Sequence, residues 1–155
     1  MRGATGFTAM LGTRANILAA LSGEHYTRIH IACHARAALL EGDSAYLEAA
    51  DGPVYAAELA RVVPSGPTKL VYLSTCQSAI GSLIPGENKF GLASSLLTGG
   101  SNVVVASMWA VPDESSRRLA TNFWRAMAQG CSAPEALHIA HTGRIEVDAA
   151  FEVMI

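Results

Sequence analysis

At 155 residues, 50% of them hydrophobic and 15% charged, the chain has the length for one domain, residues 1–155, with a substantial buried core. So apolar a composition suits a parallel sheet covered on both faces, or a piece that leans on further protein. The formal net charge of −2 argues against nucleic acid or an anionic membrane as the main partner, and no run approaches the roughly 18 apolar residues of a membrane span. Thr8, Thr13, Arg14 and Asn16 interrupt any signal-like apolar core, so secretion is not expected. Three cysteines, Cys33, Cys76 and Cys131, form no CxxC pair and suggest free thiols in a reducing cytoplasm, with neither a disulfide framework nor a zinc ribbon.

In chain order, Met10, Ile17, Leu18 and Leu21 recur at helical spacing and predict a helix from Met10 to Leu21, stopped by Ser22-Gly23. Arg28 to Cys33 is a first apolar, β-branched strand, closed by His34. Gly42-Asp43 precedes a predicted hairpin, Ala45 to Ala49 and Val54-Tyr55, turning at Asp51-Gly52-Pro53 and lying outside the main sheet. A short helix over Ala56–Val62 leads through the turn cluster Pro64-Ser65-Gly66-Pro67 to a second buried strand, Lys69 to Thr75, closed by Cys76. Gln77 to Asn88 is a long loop of small and turn-forming residues, the kind that more often carries function. Phe90 to Leu97 reads as a helix ended by Gly99-Gly100, and Asn102 to Ser107 as a third buried strand. Asp113 is placed to cap a long helix whose Leu119, Phe123 and Met127 share one face, running to Gln129 and ended by Gly130. Ser132 to His141 is a further helix, with Ser132 and Glu135 in capping-box spacing, and Phe151 to Ile155 a final strand. Alternating strands and helices give the class α/β, a mostly parallel sheet with helices on both faces plus a small hairpin after the first strand.

Chemistry concentrates at two strand ends. In open parallel sheets, ligands and catalytic groups collect outside the carboxyl ends of the strands. His34 and Cys76 arrive there, each followed by small residues, a pattern that suits a cysteine nucleophile with a histidine base. Small residues after the nucleophile let substrate approach and leave amides for an oxyanion. The plainer alternative for Cys76 is an inert buried thiol. On the first strand Ile29, Ile31 and Cys33 share one face, which makes Cys33 a small buried hydrophobe. His30, Ala32 and His34 share the other, with His30 deeper and reading as a core or supporting histidine. An extended HxxxH segment with no further ligands nearby gives no metal site. Neither GxGxxG, GxxxxGK[ST] nor GxSxG occurs, so no nucleotide cofactor and no serine hydrolase is expected. Trp109 and Trp124 read as core anchors, and Cys131, at a helix start with no base beside it, as an ordinary thiol.

Four stretches, IHIACHARAALL, LVYLSTCQSAIG, FGLASSLLTGGSNVVVASMWAVPD and SAPEALHIAH, resemble in order those of the CHAT domain, a caspase-like cysteine peptidase family related to separase and caspases. The likeness spans about Ala4 to Ile155. It implies a caspase-like fold and a cysteine endopeptidase acting on a protein substrate without a cofactor. His34 matches the family's catalytic histidine and Cys76 its nucleophile, with the amides of Ala35 and Cys76 as the oxyanion hole. Gln77 and the segment Met108 to Glu114, Trp109 included, would flank the substrate cleft. Within the latter, Trp109-Ala110-Val111-Pro112-Asp113 resembles a separase segment whose acidic residue receives a basic P1 side chain, a role that falls to Asp113 and competes with helix capping. Caspase-like preference for aspartate is not implied, because QAC[RQG]G is absent. Three departures accompany the likeness. The family's glycine after the histidine is Ala35, which is strained if that backbone needs a positive φ. Asp148-Ala149-Ala150-Phe151 stands where many members have W-A-x-F. The chain also begins one strand–helix unit later than usual, which would leave a sheet edge open and is expected of a fragment, a processed subunit, or a reduced homologue completed by a partner such as a sensor or helical-repeat domain. The alternative function is a catalytically impaired caspase-like scaffold serving as a protein-interaction module. The family's distribution and the alanine-rich sequence point to a bacterial, cytoplasmic protein.

Overall fold

The computed structural model describes residues 8–37, 44–62, 69–75, 91–141 and 143–155. Cys76, Gln77, the turn clusters at Gly42-Asp43 and Pro64–Pro67 and the whole loop 77–88 lie outside them. The described chain runs α1 (Arg14–Ser22), β1 (Arg28–Ala32), β2 (Ala35–Arg36), β3 (Tyr46–Ala49), β4 (Gly52–Tyr55), α2 (Ala56–Leu59), β5 (Leu70–Ser74), α3 (Leu92–Thr98), β6 (Val103–Ser107), α4 (Asp113–Ala128), α5 (Ala133–Ile139), α6 (Ile145–Asp148) and β7 (Phe151–Met154). Four strands make the main sheet in the order β1-β5-β6-β7. The β1–β5 and β5–β6 pairs are parallel, and β7 closes the far edge antiparallel to β6. This is the expected α/β class with a mostly parallel sheet.

The two-residue alternation of the strands sorts the apolar side chains into two cores. Ile29, Ile31, Val71, Leu73, Val104 and Ala106 pack with α1, α2, α3 and the hairpin on one face. Leu70, Tyr72 and Val105 pack under α4, α5, α6 and Phe151 on the other. β5 is buried along both faces, which explains why its sequence reads as a continuous apolar run. β1 instead alternates, with Ile29 and Ile31 inside and Arg28, His30 and Ala32 exposed. It is the edge of the sheet among the described residues.

Several boundaries move for local reasons. α1 begins at Arg14, later than the apolar spacing suggests, because Thr13 is its N-cap and its side chain accepts from the Asn16 N–H at 3.2 Å. The predicted hairpin is present as β3 and β4, but it belongs to a three-stranded antiparallel sheet completed by β2. A two-residue strand carries too little pattern to be seen in sequence. α5 opens as its capping box predicts, with the Ser132 N–H donating to Glu135 Oε2 at 2.8 Å. Lys69, just ahead of β5, is wholly buried, and its ammonium donates to the carbonyls of Gly23 and Tyr26. A cation can be buried there because those acceptors tie the end of α1 to the start of β5.

Gly99, the C-cap of α3, lies against the Leu59 carbonyl so closely that any Cβ would collide with backbone. Overpacking of this kind costs roughly 1–3 kcal/mol. Gly99→Ala is therefore expected to lower the melting temperature by about 2–12 °C at this chain length, measured by thermal denaturation, with no change in secondary structure content.

Candidate active site

The site is built from the ends of β1 and β5. Their parallel register pairs Arg28 with Leu70 and, at the far end, Ala32 with Ser74. Both strands therefore stop side by side, and His34 and Thr75 follow at the same edge of the sheet. Here lies a cleft of about 430 Å³, whose lining includes His34, Ser74, Thr75, Asp113, Arg117 and Trp124. Thr75 directly precedes Cys76 in the sequence.

His34 is exposed at the mouth of the cleft, and its carbonyl accepts the Glu48 N–H at 2.9 Å. That bond fixes the antiparallel ladder beyond it. His34 and Glu48 are a hydrogen-bonded pair, so Ala35 opposite Leu47 is a non-bonded pair and its N–H points away from β3. The ladder thus leaves the Ala35 amide unused. The same pairing puts Ala35 in an extended strand, a conformation any residue adopts, so no strain follows from the missing glycine.

The end of β5 is held from both sides. His30 Nε2 lies 2.8 Å from Ser74 Oγ, and Ser107 Oγ, at the end of β6, donates to the Thr75 carbonyl at 2.6 Å. Neither contact is visible in the sequence, although Ser107 closes an apolar strand just as Thr75 does. His30 shares the exposed face of β1 with Ala32, as its periodicity predicts, and its ring lies 5.1 Å from that of Tyr72 and 6.1 Å from that of Trp124. Partial desolvation of the ring against these groups lowers its pKa below the usual histidine value, although the residue as a whole stays exposed.

Asp113 also lines the cleft, and its position corrects the capping assignment. The N-cap of α4 is Pro112, Asp113 is the first helical residue, and among the described residues no side-chain hydrogen bond caps the helix. Its charge still suits the positive end of the helix. Arg117, one turn on, lines the same cleft. Trp124 is buried, as an anchor should be, and forms one wall. Trp109 is no core anchor. It is 42% exposed, it is absent from the cleft lining, and its indole N–H donates to the Glu146 carbonyl at 2.9 Å. From the predicted flanking segment Met108 to Glu114, Val111 and Asp113 reach the cleft.

A strand of apolar alternation bearing a histidine, a parallel neighbour ending two residues before a cysteine, and helices on both faces define an α/β domain of caspase-like fold. The family model of the CHAT domain matches residues 3–150, and the chain belongs to the CHAT domain family, whose members are often peptidases. No curated protein matches the chain. Among the described residues, no helix is long and apolar enough to cross a membrane.

Cys33, beside His34, is partly buried against the first core, much as its face predicts. Burial, reinforced by the Glu48 charge, pushes its thiol up to about 11. At pH 8 about one molecule in a thousand would carry a Cys33 thiolate. Iodoacetamide near neutral pH is therefore expected to leave Cys33 essentially unmodified in the folded protein, and to reach it only after denaturation, as read by peptide mass spectrometry.

Proposed function

We propose that the protein is a cysteine endopeptidase with a His34–Cys76 dyad that cuts a protein substrate after a basic residue. The observation that carries this reading is the parallel β1–β5 register, which brings His34 and Thr75 to one cleft also lined by Asp113. Cys76 is the residue after Thr75 and is the nucleophile. Its thiol gives a proton to His34, and the thiolate attacks the scissile carbonyl carbon to form a tetrahedral intermediate. The oxyanion is held by the amides of Ala35 and Cys76; removing one such donor typically costs roughly 10²–10³ in rate. Collapse breaks the C–N bond as His34 returns the proton to the leaving amine, and water then hydrolyses the thioester. Gln77 flanks the substrate next to the nucleophile. The orientation of Ala35, with its N–H outside the β2–β3 ladder, supports its share in this scheme.

Specificity falls to Asp113. With no capping bond to satisfy, its carboxylate stands at the cleft wall as a partner for the arginine or lysine side chain of P1. Arg117 shares that wall and discriminates against other cationic positions of the peptide by like charge.

Incubating a cellular proteome with the full chain and comparing new peptide termini with those from Cys76→Ala is the direct test. Cleavage that disappears in Cys76→Ala and falls by about 10²–10⁴ in His34→Ala is expected. Identical termini from wild type and Cys76→Ala would refute the peptidase reading and leave the interaction scaffold in its place.

Among fluorogenic peptides differing only at P1, arginine and lysine are expected to be cut fastest. Asp113→Asn should lower kcat/KM for these by roughly tenfold or more while sparing uncharged P1 residues. A wild-type preference for an acidic or apolar P1 would remove Asp113 from this role.

A further inference from the structure

The His30–Ser74 contact has no part in the dyad chemistry, yet it sits on the floor of the same cleft. The register pairs His30 with Tyr72 and Ala32 with Ser74, so the imidazole leans two residues along the sheet, past its direct partner, to reach the hydroxyl. Its position is determined from three directions: edge-on to the Tyr72 ring at 74°, against Trp124 of α4, and by the bond to Ser74. Tyr72 and Trp124 are themselves fixed, wholly and nearly wholly buried in the second core with Phe123 and Phe151 around Tyr72. His30 is exposed on its strand face, yet its ring is in contact with two core aromatics as well as with Ser74. On the other flank, Ser107 holds the Thr75 carbonyl. The last two residues before Cys76 are thus tied once to β1 and once to β6.

We propose that His30 is a positioning residue of this site, which through Ser74 sets the end of β5 in the arrangement the His34–Cys76 dyad requires. The inference rests on the peptidase reading above and adds a residue to it. Ser74 is only partly buried, so a bond worth making there has geometry as its purpose more than satisfaction of a polar group. Histidine suits the place because a neutral imidazole can pair with a hydroxyl in either direction, as donor or as acceptor. A displacement of about 1 Å at a reacting group can cost about 10²-fold in rate.

The test is the rate at which iodoacetamide alkylates Cys76 in the intact chain near neutral pH, read on its own peptide, with Cys131 as internal control. Ser74→Ala and His30→Leu should each slow labelling of Cys76 by roughly ten- to a hundredfold. Ser74→Thr, which keeps the hydroxyl, should restore most of the rate, and the Ser74 variants should melt within a few degrees of wild type. An unchanged Cys76 rate in Ser74→Ala, while His34→Ala still slows it, would overturn the positioning role and leave the peptidase reading intact. Slowing that Ser74→Thr fails to rescue, or that comes with faster labelling of Cys131, would mark a general loosening and overturn it equally. Labelling of Cys76 that ignores His34→Ala would undo the peptidase reading and this inference together.

Discussion

Everything at the cleft depends on one pairing, the parallel ladder between β1 and β5. Parallel strands run in the same direction, so two chains that start together also end together, and whatever follows them emerges at the same edge. Here the ladder is in register from Arg28↔Leu70 to Ala32↔Ser74. A slip of one residue would reverse which side chains of β1 face the first core, sending Ile29 and Ile31 outward and the His30 face inward. The apolar alternation of β1 and the two-sided burial of β5 therefore fix the register, and the register brings His34 and Thr75 to one cleft. Packing energy, not any attraction between the groups at the strand ends, does the placing.

That ladder is anchored at its start as well as its end. Lys69 joins the entry of β5 to the carbonyls of Gly23 and Tyr26, which lie between α1 and β1. At the far end, His30 and Ser107 reach the last residues of β5 from opposite sides. Of these only the Ser107–Thr75 bond is buried, and removing one partner there leaves the other unsatisfied at about 1–3 kcal/mol. The aromatic group of Tyr72, Phe123, Trp124 and Phe151 makes the second core stiff directly beneath the cleft. A rigid floor is what a site needs when its working side chains sit at strand ends, beyond the last ladder bonds.

The sequence was most legible where burial imposes a period. β1, β5 and β6 are short β-branched runs, and α4 shows Leu119, Phe123 and Met127 on one buried face, so their existence and order follow from pattern. The strand-end placement of His34 is of the same kind. Other features escape the pattern for physical reasons. β2 is two residues long and defined only by its partner β3. Asp113 looked like a cap because aspartate before a helical stripe usually is one, but Pro112 takes that position and frees the carboxylate for the cleft. Trp109 looked like core because tryptophan buries so much area, yet its indole is turned to Glu146 and its ring is left half in solvent. The pairings His30–Ser74 and Ser107–Thr75 join residues more than thirty positions apart and depend on register, which a single sequence does not carry.

Ala35 shows how a departure from a family pattern can be neutral. A glycine is indispensable where the backbone must adopt a positive φ or where no Cβ fits. Neither condition holds at this position, because β2 is extended and the ladder with β3 turns the Ala35 N–H outward. What the proposed oxyanion hole needs from the residue after His34 is an amide that no strand has claimed. That requirement is met by the parity of the β2–β3 pairing, set one residue earlier by the bond from Glu48 to the His34 carbonyl. The methyl group of Ala35 lies off that hydrogen-bonding axis. The small antiparallel sheet, anchored in the first core by Leu47 and Val54, orients the backbone on the far side of the histidine while β1 orients the near side.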